Sequence, residues 1–304
     1  MDKVNFIKSY NFPNGEFVSQ HIPCISPFDH GLLYGDGIFE GIRIYNGGIF
    51  RLPLHIERLY ESAAGIELDI GLSKDYIEEK LLETSRRNGL TDGYIRLVVT
   101  RGIGDLGLDP KKCEIPTFFI IADTIQLYPQ KYYENGIDVI TAKRPRPPIS
   151  VLNPGVKMTQ YMNNIFCKLE ANKAGVVDAL MLTYGDNYGN KFVTECTGAN
   201  LFFVKKGELY TPASDIVLPG ITRRTVMEIA TEKEIAVVEG YYKIEDVRSA
   251  DEVFVTGSGA KICPVRKIDD VVLGTDRPMT REIMEQFDKI IKDPKYLTPI
   301  FNNI

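Results

Sequence analysis

Residues 37–52 read GIFEGIRIY, then Asn-Gly, then GIFRL, two β-prone runs around a two-residue turn. That pattern predicts a hairpin with Asn46-Gly47 at its tip. Pro53 suits the first turn of a helix, and Ile56, Leu59, Tyr60 and Ala63 then recur at helical spacing on one face. Ser73 caps a second helix over 74–88, which Gly89 ends. YIRLVVT (94–100) and TFFIIA (117–122) read as strands. Beyond Gly136 the pattern alternates: strand IDVITA, a helix over 162–174 closed by Gly175, and strands ALMLTY and KFVTE around GDNYGN. NLFFV and ELYT follow around KKG, then a helix from Thr222, strand IAVVE, a short helix at 244–249, strand EVFVTG, and a C-terminal helix from Thr280.

Strands followed by helices, then strands interleaved with helices, predict an α+β (mixed α/β) chain in two domains. The expected division is a small N-terminal α/β domain over 1–124, an interdomain loop over 125–135 and a larger domain over 136–304. No repeat or low-complexity stretch interrupts it.

Composition narrows the chemistry. The 304 residues are 44% hydrophobic and 25% charged, an ordinary globular balance, and the net charge of -5 gives no basic footprint for nucleic acid. No apolar run is long enough to span a membrane, and the start MDKVNFIKSYNF is not a signal peptide, so a cytoplasmic protein is expected. The five cysteines (Cys24, Cys113, Cys167, Cys196, Cys263) are scattered without a C-x-x-C, which suits reduced thiols. With only His21, His30 and His55 and no clustered cysteines, a zinc site is not expected, and no G-x-S-x-G elbow supports a serine hydrolase. Chemistry is left to lysine, tyrosine, carboxylates or a cofactor.

RGIGDLG supplies a literal G-x-G-x-x-G at Gly102, Gly104 and Gly107. A dinucleotide fingerprint needs a helix to start there, whereas Pro110, Pro116 and another strand follow, so a tight loop is the better reading.

Four segments look like parts of one site. They are NPGVKMTQYMNN, with Lys157 and Tyr161; TECTGANLFF, with Glu195; LPGITRRTVMEIA, a helix start at Gly220, Ile221 and Thr222; and FVTGSGAKICPV, ending in Gly257-Ser258-Gly259. The last two offer backbone N–H groups of the kind that cradle phosphate, although either feature alone is common. Together with HIERL around Arg58, and in this order, they resemble the fold-type IV pyridoxal-phosphate aminotransferases over essentially the whole chain. HGLLYGDGIFEGIRIY (30–45), YIR (94–96), LEANKAG, ECTGANLFFV and LPGIT are most similar to the branched-chain amino-acid aminotransferases.

The resemblance implies pyridoxal 5'-phosphate as cofactor, no metal, and transfer of an amino group from leucine, isoleucine or valine to 2-oxoglutarate. It gives Lys157 the Schiff base to the cofactor aldehyde and the proton shuttle, Glu195 the ring nitrogen and Tyr161 the phenolic oxygen. Arg58, the backbone of Ile221 and Thr222 and the Ser258 hydroxyl would hold the phosphate, with Leu218 beneath the ring. Phe39, Tyr34 and, by a looser match, Tyr128 would wall the substrate pocket. Tyr94, Arg43 and the Ser258-Gly259 backbone would take the α-carboxylate, and Arg96 the side-chain carboxylate of glutamate. A homodimer is implied, with Tyr34 and its loop lent across the interface.

Two positions depart from the pattern. Arg101 stands where the related D-amino-acid aminotransferases carry a carboxylate-binding arginine, which keeps D-amino-acid transamination open as an alternative. Lys261 replaces the glutamate common after the glycine turn. An (R)-amine transaminase, an aminodeoxychorismate lyase of the same fold and a cofactor-free binding protein are remoter alternatives.

Overall fold

The computed structural model describes residues 8–12, 15–19, 25–125, 128–186 and 189–301. His21 and Cys24 lie outside these residues, as do two positions of the GDNYGN turn. The chain divides into two compact units, residues 1–125 with 156–160 and 291–304, and residues 126–155 with 161–290. Lys157 and the C-terminal segment, expected in the domain over 136–304, thus belong with the first unit. The reason is strand pairing between distant segments, which composition does not reveal.

The first unit is built on β1 (Lys8–Phe12), β2 (Glu16–Ser19), β3 (Gly37–Tyr45), β4 (Gly48–Phe50), β5 (Gly93–Thr100) and β6 (Thr117–Asp123). With a C-terminal strand, Leu297–Pro299, they form an antiparallel sheet in the order 297–299, β4, β3, β5, β6, β1, β2. The turn between β3 and β4 is the expected one: Asn46 and Gly47 both have positive φ, as a type I′ hairpin demands. A short helix α1 (His30–Tyr34) precedes β3, and α2 (Leu52–Gly65) and α3 (Lys74–Arg87) pack on the sheet. Strand alternation decides what faces them. Ile38, Ile42 and Ile44 of β3 join Ile95, Leu97 and Val99 of β5 in one core with Ile56, Leu59 and Ala63 of α2. The opposite face therefore carries Phe39, Arg43, Tyr94 and Arg96, with Phe39 across from Val98, Gly41 from Arg96 and Arg43 from Tyr94. After β5 the chain makes a loop and a 3₁₀ turn, Pro110–Lys112, before β6, so no helix starts at RGIGDLG.

The second unit holds α4 (Gln130–Asn135), β7 (Ile137–Thr141), α5 (Met162–Lys173), β8 (Asp178–Leu182), β9 (Val193–Cys196), β10 (Asn200–Lys205) and β11 (Glu208–Pro212). It continues with α6 (Ile221–Glu232), β12 (Val237–Gly240), α7 (Ile244–Arg248), β13 (Glu252–Gly257), β14 (Lys261–Ile268), β15 (Val271–Val272) and α8 (Pro278–Ile290). Its mixed sheet runs β12, β11, β10, β13, β14, β7, β8, β9, with β15 beside β14. β11/β12, β14/β7 and β7/β8 are parallel. Leu201 and Phe203 of β10, Val253 and Val255 of β13 and Val265 of β14 build the core on one face. α6 and α8 pack against β13. Helix α4 occupies part of the stretch read as an interdomain loop. Among the described residues no helix is long and apolar enough to cross a membrane.

Candidate active site

Residues 156–160 form a strap that carries Lys157 into the first unit. Of β3, only Ile44 and Tyr45 pair with β4, which leaves the start of β3 open on that edge, and the strap takes the place. Ile38 and Met158 form an antiparallel bridge. Phe39 N–H donates to the Lys157 carbonyl at 3.0 Å, and Thr159 N–H to the Gly37 carbonyl at 2.8 Å. The Thr159 hydroxyl adds a bond to the Gly35 carbonyl at 2.7 Å, and Lys157 N–H donates to Ser62 Oγ of α2 at 3.1 Å.

This register sets Lys157 opposite Phe39 with both side chains on the face away from α2 and α3. Lys157 Nζ lies 4.4 Å from the Phe39 ring centroid, and the Arg96 guanidinium carbon is also 4.4 Å from that centroid. Two cations thus share one aromatic ring, a surface matched to an anionic, partly apolar ligand. Arg96 is 5.9 Å from the Tyr94 ring as well. Burial pushes the Tyr94 phenol above its ordinary pKa, with Arg96 opposing, so at neutral pH its hydroxyl is a donor. Tyr94 reaches over Gly41, where a Cβ would stand 1.9 Å from the phenol oxygen. Arg43 packs 5.0 Å from the Tyr45 ring and donates to the Ile125 carbonyl at 3.4 Å. The structure thus brings Lys157, Phe39, Tyr94, Arg96 and Arg43 to one face.

Glu40 alternates onto the other face of β3 and meets α2. Its wholly buried carboxylate accepts from Arg58 Nε and Nη2, both at 2.8 Å, and pairs with His55 Nδ1 at 2.7 Å. Burial alone would raise this carboxyl, but the Arg58 charge and the hydrogen bonds from His55 and Arg58 hold it well below the usual carboxylate range. Burial, opposed by Glu40 and aided by Arg58 and Lys157, lowers the His55 pKa and favours the neutral imidazole. Arg58, expected on a phosphate, has its Nε–Nη2 edge on Glu40.

Arg101 departs from its expected role. Nε and Nη2 grip the Asp36 carboxylate at 2.9 and 3.1 Å, and Nη1 and Nη2 donate to the Glu67 and Ile66 carbonyls at 2.7 Å each. It clamps the end of α2 to the approach to β3, with the donors a substrate carboxylate would need already engaged. Tyr34, expected in the pocket wall, donates to the Leu106 carbonyl at 2.6 Å and packs edge-on against His30.

In the second unit Glu195, at the end of β9, is held from three sides. Arg146 pairs with Oε1, Asn200 Nδ2 donates to Oε2 at 2.8 Å, and Leu218 N–H to Oε2 at 3.2 Å. Asn200 also donates to the Leu218 carbonyl at 2.9 Å, so one amide fixes both the carboxylate and the chain before α6. Gly220 is required there, because a Cβ would stand 1.9 Å from Asn200 Oδ1. Gly220 is also the N-cap of α6 and offers no capping side chain to the helix that starts with Ile221 and Thr222, both buried. Asn200 pairs across the ladder with Thr256, two residues before Ser258, and Ser258 and Gly259 form the β13–β14 turn. Glu195, Leu218 and Gly220 thus meet at Asn200, with Ile221 and Thr222 next along α6 and Ser258 and Gly259 two and three residues beyond its ladder partner Thr256. Tyr161 is the N-cap residue of α5. Tyr128, expected in the pocket wall, packs in this unit's core beside Tyr132 and Tyr133, and burial raises its pKa.

Asn200, Arg146, Ser62, Glu40 and His55 escaped the sequence reading. Asn200 lay inside the quoted TECTGAN motif, but nothing in spacing singles out Arg146 or Ser62. Burial pushes the Cys167 thiol up to about 11 and the Cys263 thiol up to about 12, which makes these two poor nucleophiles. Among the described residues no group of three or more His, Cys, Asp or Glu could hold a metal.

Residues 37–268 match the family model described as amino-transferase class IV. A protein of Methanocaldococcus jannaschii named "Putative branched-chain-amino-acid aminotransferase" is 48% identical over 280 residues, 91% of this chain and 94% of that one. D-alanine aminotransferase of Staphylococcus haemolyticus is 32% identical, over 92% of this chain and 97% of its own. The crystal structure of the T.th. branched-chain amino acid aminotransferase with pyridoxamine 5'-phosphate superposes with a TM-score of 0.90 at 31% identity, covering 98% of this chain and 100% of that one. Each unit by itself offers groups that suit the cofactor of such enzymes: the first an amine against an aromatic ring, the second a carboxylate locked by three donors, a helix start and a tight turn. The chain belongs to the class IV aminotransferases, pyridoxal-phosphate enzymes that exchange amino groups between amino acids and 2-oxo acids.

Proposed function

We propose that the protein transaminates the branched-chain L-amino acids leucine, isoleucine and valine with 2-oxoglutarate. The carrying observation is the different use of two arginines. Arg96 stacks on Phe39 beside Lys157, whereas Arg101, the residue a D-amino-acid reading needs, is closed off by Asp36 and two carbonyls. The M. jannaschii relative and the T.th. enzyme bear branched-chain names and support the same choice.

Bound pyridoxal phosphate supplies an aldehyde that carries the amino group and a ring that accepts the electrons of the broken Cα–H bond. In this reading Lys157 would hold the cofactor covalently until the substrate amine displaces it, and its freed Nζ would then move the Cα proton. Glu195, oriented by Arg146, Asn200 and Leu218 N–H, would partner the ring nitrogen. Tyr161 would take the phenolic oxygen, Leu218 the ring face, and Arg58, Ile221, Thr222 and Ser258 the phosphate. Tyr94 would donate a hydrogen bond to the substrate α-carboxylate, a group it would share with Arg43 and the Ser258-Gly259 backbone. Phe39 gives leucine an apolar wall, and Arg96 receives the second carboxylate of glutamate. Tyr34 contributes from a partner copy, while Arg101 is left to the clamp.

A homodimer is part of the proposal. α1 and the loop after β5 are joined by the Tyr34–Leu106 bond and expose Leu32, Leu106 and Leu108 at 65%, 71% and 77%. In the second unit α5 turns a stripe of Met162, Ile165, Phe166 and Leu169 outward. Apolar surface of this kind suits a second copy. The described cysteines, all free, suit a reducing compartment, and a cytoplasmic location completes the reading.

The test is turnover of L-leucine and D-alanine side by side with 2-oxoglutarate as acceptor. Faster L-leucine turnover is expected; faster D-alanine turnover would overturn the choice in favour of the D-amino-acid reading.

A further inference from the structure

Hydroxyl side chains within the helices of this protein mostly bond back to their own helix. Ser85 donates to the Leu81 carbonyl, Thr84 to Lys80, Thr225 to Ile221 and Thr231 to Met227, each four residues away. Ser62 has a different partner. It lies in α2 one turn beyond Arg58, is 1% exposed, and its Oγ accepts the main-chain N–H of Lys157, 95 residues along the chain, at 3.1 Å.

The bond falls where the strap leaves the sheet. Phe39 N–H to the Lys157 carbonyl and Thr159 N–H to the Gly37 carbonyl flank the Ile38–Met158 bridge. Regular antiparallel pairing would continue from Lys157 N–H to the Phe39 carbonyl. The N–H turns to Ser62 instead, so the Lys157 peptide is fixed by β3 through its oxygen and by α2 through its nitrogen.

We infer that Ser62 is a positioning residue for the amine of Lys157. The lysine side chain has four methylenes and wide rotamer freedom, so Nζ over Phe39 is only as well placed as the peptide that carries it. Removing the hydroxyl leaves the Phe39, Thr159 N–H and Thr159 hydroxyl bonds, so the strap stays docked while the Lys157 peptide gains freedom to tilt. A reacting group displaced by about 1 Å can lose about a hundredfold in rate. The inference rests on Lys157 being the cofactor lysine.

The test compares S62A and S62T with the wild-type holoenzyme. Expected for S62A are a kcat lower by about tenfold to a hundredfold, a KM for the amino donor within about twofold, and a shifted pH midpoint of the cofactor's visible band. S62T, which keeps an acceptor oxygen, should recover most of the kcat. In the cofactor-free protein, amide hydrogen exchange at Lys157 should speed up about tenfold in S62A, with the rest of α2 unchanged. Wild-type kcat and midpoint in S62A would overturn the proposal. So would faster exchange spread through α2 and the strap, because Ser62 would then only hold the fold. If borohydride leaves no cofactor on Lys157 of the wild type, the parent reading fails, and with it the role given to Ser62. The exchange measurement still reports whether the Ser62–Lys157 contact exists.

Discussion

Glu40→Gln is the sharpest perturbation of the fold around the lysine strap. Glu40 is wholly buried and anchors Arg58 by two bonds of 2.8 Å and His55 by one of 2.7 Å. Glutamine keeps the shape but removes the charge, and its amide presents a donor to a guanidinium that itself can only donate. Arg58 is then a buried cation without its carboxylate, and breaking such a pair costs about 3–5 kcal/mol. One surviving bond to the amide oxygen brings the expected loss to about 3 kcal/mol. The assay is urea denaturation of the cofactor-free protein at pH 7, followed by tyrosine fluorescence, since the chain has no tryptophan. With a urea dependence of about 1–3 kcal/mol per molar, the midpoint should fall by about 1–3 M. Adding Arg58→Met should restore part of the loss, because the buried charge goes with it. A Glu40→Gln shift below about 0.5 kcal/mol, or strictly additive effects in the double variant, would refute the reasoning.

Acid should weaken the same region in two stages. Glu40 and His55 both have folded pKa values below their unfolded values of 4.5 and 6.5, so on acidification the unfolded chain binds protons first. Their contribution is complete above pH 6.5 and lost as pH falls through the folded values; His55 weakens first, and Glu40 below pH 4.5. Urea midpoints measured across that range should decline accordingly, and Glu40→Gln should flatten the lower stage. Arg101→Met should lower stability by about 2 kcal/mol by opening the Asp36 clamp. Steady-state kinetics should find its L-leucine to D-alanine preference unchanged. Gly41→Ala should push the Tyr94 phenol from its place and raise the KM for the amino donor about tenfold, the worth of one hydrogen bond to a charged carboxylate, with a nearly unchanged melting temperature.

Local chemistry made much of the fold legible. Asn46-Gly47, Pro53 and Ser73 act within a few residues of themselves, and the elements they predict begin and turn where expected. The small-domain boundary was harder to read. The strap at 156–160 and the strand at 297–299 join the first sheet through pairings with β3 and β4 that no nearby residue announces. The same limit applied to the site. Lys157 and Glu195 stood out through the motifs around them, but their supports come from far along the chain: Ser62 for the lysine peptide, Arg146 for the carboxylate. Arg101 carried the opposite lesson. Its place in the chain suggested a carboxylate receiver, while Asp36 and the end of α2 supply its partners.

The central claim is that Lys157 is the residue that binds the cofactor covalently. It is tested most directly by loading the protein with pyridoxal phosphate, reducing with borohydride, and mapping the modified peptide by mass spectrometry. The expected result is a yellow protein that reduction inactivates, with the phosphopyridoxyl group on Lys157 and no label in Lys157→Ala. A label on any other lysine, or a colourless protein that acquires none, would contradict it.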